Sequence, residues 1–204
     1  MPSRKYLMSF TTGGLFISES SMCVDLYLEI KDWGKVRKKV MDENLLQTRT
    51  IRSSKLICSM ICPRLKTLSL NELTSFARAT EQEKGYLLWV ATCRTYLFIR
   101  EFAVEVLREK FINLRPEITY EDFDIFFNAR AEWNEGLEKL TQATRLKLRQ
   151  VLFRMMKEAQ LVTDRLQILP AVIGPRLATL ISEQDRWDLY VFPAMESEMK
   201  GWIR

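Results

Sequence analysis

An all-α helical bundle is the fold class this sequence predicts, on three observations. Only seven glycines and six prolines punctuate 204 residues, so long stretches run without a helix breaker. Apolar residues make up 47% of the chain, enough to bury a sizeable core in one domain or two small ones. Helix-start signals recur just ahead of amphipathic runs: Ser69-Leu-Asn-Glu72 fits a capping box, and Thr119-Tyr-Glu-Asp122 places acids in a first turn.

The elements follow in order. A first helix is expected over 18–31. Asp32 reads as the cap of a second, over 32–44, and Thr50 or Ser53 as the cap of a third, over 51–66. Three short helices with tight connections are compatible with a helix-turn-helix module. Ser69 then opens a helix over 70–79, and a long one is expected over 82–112. Within it, residues 86–99 form an apolar run of fourteen broken by Arg94. A bilayer needs about 20 apolar residues, so this run predicts a central buried helix and no membrane span. Helices over 120–135 and 137–159 are separated by Gly136, and Gly174-Pro175 opens a short one over 175–184. Two β-like runs, 166–169 and 188–192, could pair as a small C-terminal β ribbon. The shift in charge and the new cap at Ser69 place a boundary between a basic helix-turn-helix-like module, 1–68, and a helical bundle, 69–204, with short C-terminal β-like segments.

That shift in charge is the main functional signal. Residues 31–66 hold ten Lys or Arg against three acids, about +7, whereas the whole chain is +5. Clustered cations displace counterions from phosphates, so the stretch reads as a footprint for a polyanion. Arg37, Lys38, Lys39, Arg49, Arg52 and Lys55 are the candidate phosphate contacts, the last three at the start of the third helix. Thr48, Thr50, Ser53 and Ser54 are expected to add hydrogen bonds to the same backbone. Such contacts predict salt-sensitive affinity but no choice of base sequence. A weaker second patch is expected on 137–159. There Leu148, Val151, Leu152, Met155 and Ala159 share an apolar stripe, and Lys147, Gln150, Arg154 and Lys157 gather opposite. Glu132, Glu135 and Glu138 on the preceding helix could equally supply counter-charges to that basic side.

Other chemistries find few parts. The chain has no histidine, which removes His-based acid–base catalysis, Ser-His and Cys-His nucleophile pairs, and imidazole zinc ligands. Cys23, Cys58, Cys62 and Cys93 contain no CxxC pair and are expected as buried, reduced thiols of a cytosolic protein; no secretory signal opens the chain. Thr11-Thr12-Gly13-Gly14 lacks the Gly-Lys-Ser/Thr of a phosphate loop and reads as a turn. Asp122 and Asp124, two apart, would face different sides of a helix, and with Glu121 they suit the first-turn dipole better than a metal. Trp33, Tyr96, Phe98 and Trp133 have the spacing of core aromatics. No catalytic residue, metal or cofactor is expected.

Five ordered segments carry a family resemblance: Tyr6-Leu-Met-Ser-Phe-Thr-Thr-Gly-Gly-Leu-Phe16, Glu43-Asn-Leu-Leu-Gln-Thr-Arg-Thr50, Phe102-Ala-Val-Glu-Val-Leu-Arg-Glu-Lys-Phe111, Asp122-Phe-Asp124 and Thr144-Arg-Leu-Lys-Leu-Arg-Gln-Val-Leu-Phe-Arg-Met-Met156. Together they resemble the BrxA family, a component of bacterial BREX (bacteriophage exclusion) defence systems. The resemblance implies a helical, non-enzymatic protein that binds DNA, with a NusB-like fold and other BREX subunits as partners. It brings no catalytic residues. The expected ligand is double-stranded DNA. RNA, by the likeness to NusB, and a role as a protein–protein adaptor whose basic surface meets an acidic subunit are the alternatives.

Overall fold

The computed structural model describes residues 6–202. Its elements are α1 (Ile17–Ile30), α2 (Trp33–Asp42), α3 (Ile51–Leu65), α4 (Leu70–Phe76), α5 (Glu81–Thr95), α6 (Leu97–Phe102), a π-helical turn (Ala103–Arg108), α7 (Glu109–Ile112), α8 (Tyr120–Ala131), α9 (Glu135–Glu138), α10 (Gln142–Glu158), α11 (Pro175–Ser182), a 3-10 helix (Arg186–Val191) and α12 (Glu196–Trp202). The all-α expectation holds, because local capping chemistry fixes most starts. Asp32 accepts from the N–H groups of Gly34 and Lys35 at 2.7 and 3.0 Å, and Thr50 from that of Ser53 at 3.1 Å. Ser69 and Glu72 form the capping box expected of them; Thr119 and Asp122, expected only as a helix start with acids in its first turn, form another, and Thr80 with Glu83 makes a third.

α5 is the axis of the core. Residues 85–93 are all buried, and Trp89, fully enclosed, donates from Nε1 to the Val191 carbonyl at 3.0 Å, tying the axis to the 3-10 helix. A Cβ on Gly85 would stand 3.4 Å from the Cα of Ala159, an ordinary van der Waals contact that marks how closely α5 packs on the end of α10. Among the described residues no helix is long and apolar enough to cross a membrane, in line with the reading of 86–99 as a buried core segment. Phe98 centres an aromatic cluster, meeting Tyr6, Phe10, Phe123, Phe126 and Phe127 at centroid distances of 5.1 to 6.3 Å.

Three expectations need correction. The helix over 82–112 is interrupted at Tyr96, which is extended (φ −118°, ψ 96°) so that its ring can pack edge-on against Phe10, 5.2 Å away. The helix over 137–159 divides at residues 139–141, because Thr141 caps the N–H of Thr144 and restarts the chain as α10. The β ribbon does not form. Residues 166–169 make only isolated bridges, Glu117 with Gln167 and Val162 with Ile168, and the run 188–192 falls on the 3-10 helix, where Asp185 accepts from the N–H of Trp187 and winds the chain. Two short runs have no ladder of their own to hold them extended against such a cap.

Candidate nucleic-acid interface

The basic module is built on α1–α3. α1 and α2 are joined by Lys31, in the left-handed region, and Asp32; Trp33 then stacks on Tyr27 with centroids 4.1 Å apart and fixes the turn. α2 seats Val36 and Val40 in the core. At 100° per residue Lys38 therefore points directly away, Arg37 leans to one flank, and Lys35 and Lys39 to the other. Arg37 lines a groove of about 260 Å³ between α2 and α3, together with Trp33, Ser59 and Lys66. α3 buries Ser54, Cys58, Ile61 and Leu65, which leaves Arg52, Lys55, Ser59 and Lys66 along its outer face. The structure thus gathers Arg37, Arg52, Lys55 and Lys66 on one surface, with Lys38 at its edge and Lys35 and Lys39 around the far side of α2. Lys66 extends the set read from sequence.

The connection between α2 and α3 spans residues 43–50, longer than the turn of about three or four residues usual between paired DNA-reading helices. Asn44 and Gln47 take positive φ, and Asn44 closes the loop by accepting from the Thr48 N–H at 3.2 Å. Arg49 projects from this loop and is exposed. The hydroxyls beside it are mostly engaged internally: Thr48 meets Ser54 at 2.6 Å, Thr50 meets Ser53 at 2.9 Å, and Ser54 is buried. These contacts hold the loop onto α3; Ser54 is enclosed and out of reach of a phosphate, whereas Thr48, Thr50 and Ser53 remain at the surface.

What distinguishes the module is the lack of internal counter-charge. Among the described residues, none of Arg37, Lys38, Lys39, Arg49, Arg52 and Lys55 forms a salt bridge. Asp32 is occupied as a cap, and the backbone N–H groups of Lys35 and Gly34 hold its carboxyl below the usual range. One cation of the stretch does leave the surface. Arg64 is 1% exposed, donates from Nη1 to the Gly14 carbonyl at 2.7 Å and lies over the Tyr96 ring. Burial lowers its pKa, and it serves packing between α3 and the chain ahead of α1.

The second patch is smaller than α10's basic content suggests. Lys147 and Arg154 are exposed and unpaired, but Lys157 lies 3.3 Å from Asp164. Arg145 and Arg149 turn to α8, where both hold Asp124, at 3.0 and 2.5 Å, and cover the rings of Phe127 and Tyr120. Counter-charge therefore comes from Asp124 and not from the glutamates expected; Glu135 pairs with Lys139. Asp122 is likewise absorbed, by Lys110 at 2.6 Å and by the Thr119 cap. Arg154 borders a shallow groove with Gly13, Gly14 and Glu158, so it neighbours the start of α1 and is not part of the α2–α3 surface. All four cysteines are free and buried; burial pushes the Cys23 thiol up to about 12. Of the aromatic residues read as core, Trp33 is half-buried and Tyr96 and Phe98 are enclosed, whereas Trp133 is 83% exposed.

Fold and surface together define an all-α protein that carries an uncompensated cationic module on its first three helices. The BrxA family model matches residues 4–185, and the chain belongs to that family. It is 28% identical over 145 residues to the BREX protein BrxA of Bacillus cereus (strain H3081.97), covering 71% of this chain and 72% of that one. It is 25% identical over 179 residues to the BREX protein BrxA of Escherichia coli O9:H4 (strain HS), covering 87% and 84%. A crystal structure of an uncharacterized protein from Magnetospirillum magneticum has the same fold, with a TM-score of 0.77, 19% identity, and coverage of 93% of this chain and 99% of that one.

Proposed function

We propose that the protein is a non-enzymatic DNA-binding accessory of a BREX-type bacteriophage-defence system, acting in the cytosol through the module of α1–α3. Membership of the BrxA family supports the pathway. A single observation carries the binding: Arg37, Lys38, Arg49, Arg52 and Lys55 are exposed and have no carboxylate partner, in a chain that neutralises most of its buried and half-buried cations internally. α3 is the element presented to the duplex, its outer arginine and lysines meeting phosphates, in a helix-turn-helix-like arrangement whose second connection is lengthened. Lys147 and Arg154, exposed and unpaired, contribute a weaker contact, and Lys157, held by Asp164, drops out of it.

Retardation of duplex DNA, titrated against salt, tests this reading. Reversing charge at Arg49, Arg52 and Lys55 lowers affinity on unrelated sequences alike and flattens the dependence of log K on log salt by about 0.9 for each phosphate released, roughly 2.7 in all. An unchanged slope removes these three residues from the contact. RNA of equal length, added as competitor, separates DNA from RNA binding.

Ile51 and Leu56, 66% and 49% exposed beside Arg52 and Lys55, favour a second reading. Apolar side chains among cations suit an acidic protein subunit, and that adaptor role predicts co-purification of a partner with no retardation of DNA at low salt.

A further inference from the structure

Between α4 and α11 runs an open cleft of about 490 Å³, bounded by other helices than the surface described above. Its walls carry Arg78, just past the end of α4, and Arg176, in the first turn of α11, with Asn71, Ser75 and Thr179 between them. Both arginines are exposed, and among the described residues neither forms a salt bridge or a side-chain hydrogen bond. This sets them apart from Arg94, Arg100, Arg130, Arg145 and Arg149, each of which meets a carboxylate. The side chains of Asn71 and Ser75 and the hydroxyl of Thr179 are equally without an internal partner.

The start of α11 opens on the same cleft. Gly174 caps it with no side-chain hydrogen bond, Pro175 occupies the first position, and the N–H groups of Arg176 and Leu177 have no internal acceptor. A Cβ on Gly174 would meet nothing within 4 Å, so the space beside the start of α11 is open. Glu183 is the acidic residue of the lining; it stands seven residues on from Arg176, about 10 Å along the helix.

We infer that this cleft is a second phosphate-binding site, which takes the phosphodiester backbone of nucleic acid through Arg78, Arg176 and the first-turn amides of α11. Guanidinium forks match phosphate oxygens, helix N-termini favour anions, and uncommitted amides and hydroxyls are common backbone contacts. The inference rests on the DNA-binding reading above and extends it to elements outside the basic module.

The test uses the full chain and a short duplex of arbitrary sequence, with fluorescence anisotropy followed across potassium chloride concentration. Arg78→Gln with Arg176→Gln lowers the slope of log K against log salt by about 1.8, at roughly 0.9 per phosphate. Arg78→Lys with Arg176→Lys retains most of the slope, because charge is kept. A slope unchanged in the glutamine variant overturns the cleft, and the effect of reversing Arg49, Arg52 and Lys55 then stands alone. An equal loss in the lysine variant marks the effect as structural and also overturns it. A wild-type chain that binds no duplex at low salt overturns the cleft and the DNA-binding reading together.

Discussion

Cations do different work in the two parts of this chain. Beyond α4 many of them are built into the fold: Arg94 bridges Glu72 and Asp188, each at 2.8 Å, Arg100 holds Asp185 at 3.0 Å, and Arg130 holds Glu101 at 2.8 Å while lying over Phe126, whereas Arg78, Lys147, Arg154 and Arg176 stand exposed and unpaired. On α2 and α3 the exposed cations touch no carboxylate, and the only one that enters the core, Arg64, does so without an ion pair. A paired cation adds nothing to the long-range field, because its partner cancels it within a few ångströms. An unpaired one contributes its whole charge to the surface potential and is free to release counterions from a phosphate. The difference therefore locates where a polyanion is attracted, and it separates residues that hold the molecule together from residues that do not.

Removing the buried member breaks the comparison most severely. Arg94→Ala leaves Glu72, fully enclosed, without its cation, and Asp188, almost so, with only Arg100 at 3.7 Å; stranding buried charge of this kind costs about 3–5 kcal/mol. Urea denaturation should show that loss, with duplex affinity restored to the wild-type value in the fraction that remains folded. A loss below about 1 kcal/mol would mean that the carboxylates find water or neutralise, and that the network contributes little.

Acid sharpens the same distinction at smaller scale. Burial opposes charge on Asp122, but the hydrogen bond from Lys110 and those from the Thr119 N–H and hydroxyl outweigh it, so its folded pKa lies below the model-peptide value of 3.8. A depressed carboxyl contributes stability that is present above the unfolded pKa and lost as pH falls through the folded one. Asp188 behaves oppositely: burial raises its pKa, so stability is lost as pH rises from the unfolded pKa through the raised folded one and the carboxyl ionises. Asp122→Asn should remove part of the acid-side decline in unfolding free energy, by about 1 kcal/mol as for loss of a cap, and lower stability at neutral pH by the same amount. Identical acid profiles for variant and wild type would assign that decline to other carboxyls.

Much of the fold could be read from sequence because its information is local. Ser69 with Glu72, Thr119 with Asp122, and Asp32 ahead of Trp33 are short-range signals that the folded chain uses as written. The break at Tyr96 is not local: it is set by Phe10, distant in sequence, and by Arg64 lying over the ring. The same limit applies to the charges. Counting Lys and Arg identified the module, but not that Arg145 and Arg149 would spend their charge on Asp124, nor that Lys66 would join Arg37 across a groove. Arg64 did carry a signal, since at helical spacing it falls beside Ile61 and Leu65 on the apolar side of α3. Arg78 and Arg176 are far apart along the chain and meet only when α11 returns to α4.

The gentlest change is also the most discriminating. Lys38 and Arg52 point away from the core, on α2 and α3, and have no internal partner to lose. Exposed helical positions of this kind change stability by no more than about 0.5 kcal/mol on substitution. Lys38→Gln with Arg52→Gln should therefore leave the unfolding midpoint where it is. If both residues meet phosphate, the salt slope of duplex binding falls by about 1.8 in the same variant. Lys38 sits at the edge of the gathered surface, so a fall near 0.9 would assign the contact to Arg52 alone and confine the footprint to the α3 side. Binding reduced only in step with stability would place these cations with the structural ones, and the distinction between the two parts of the chain would fail.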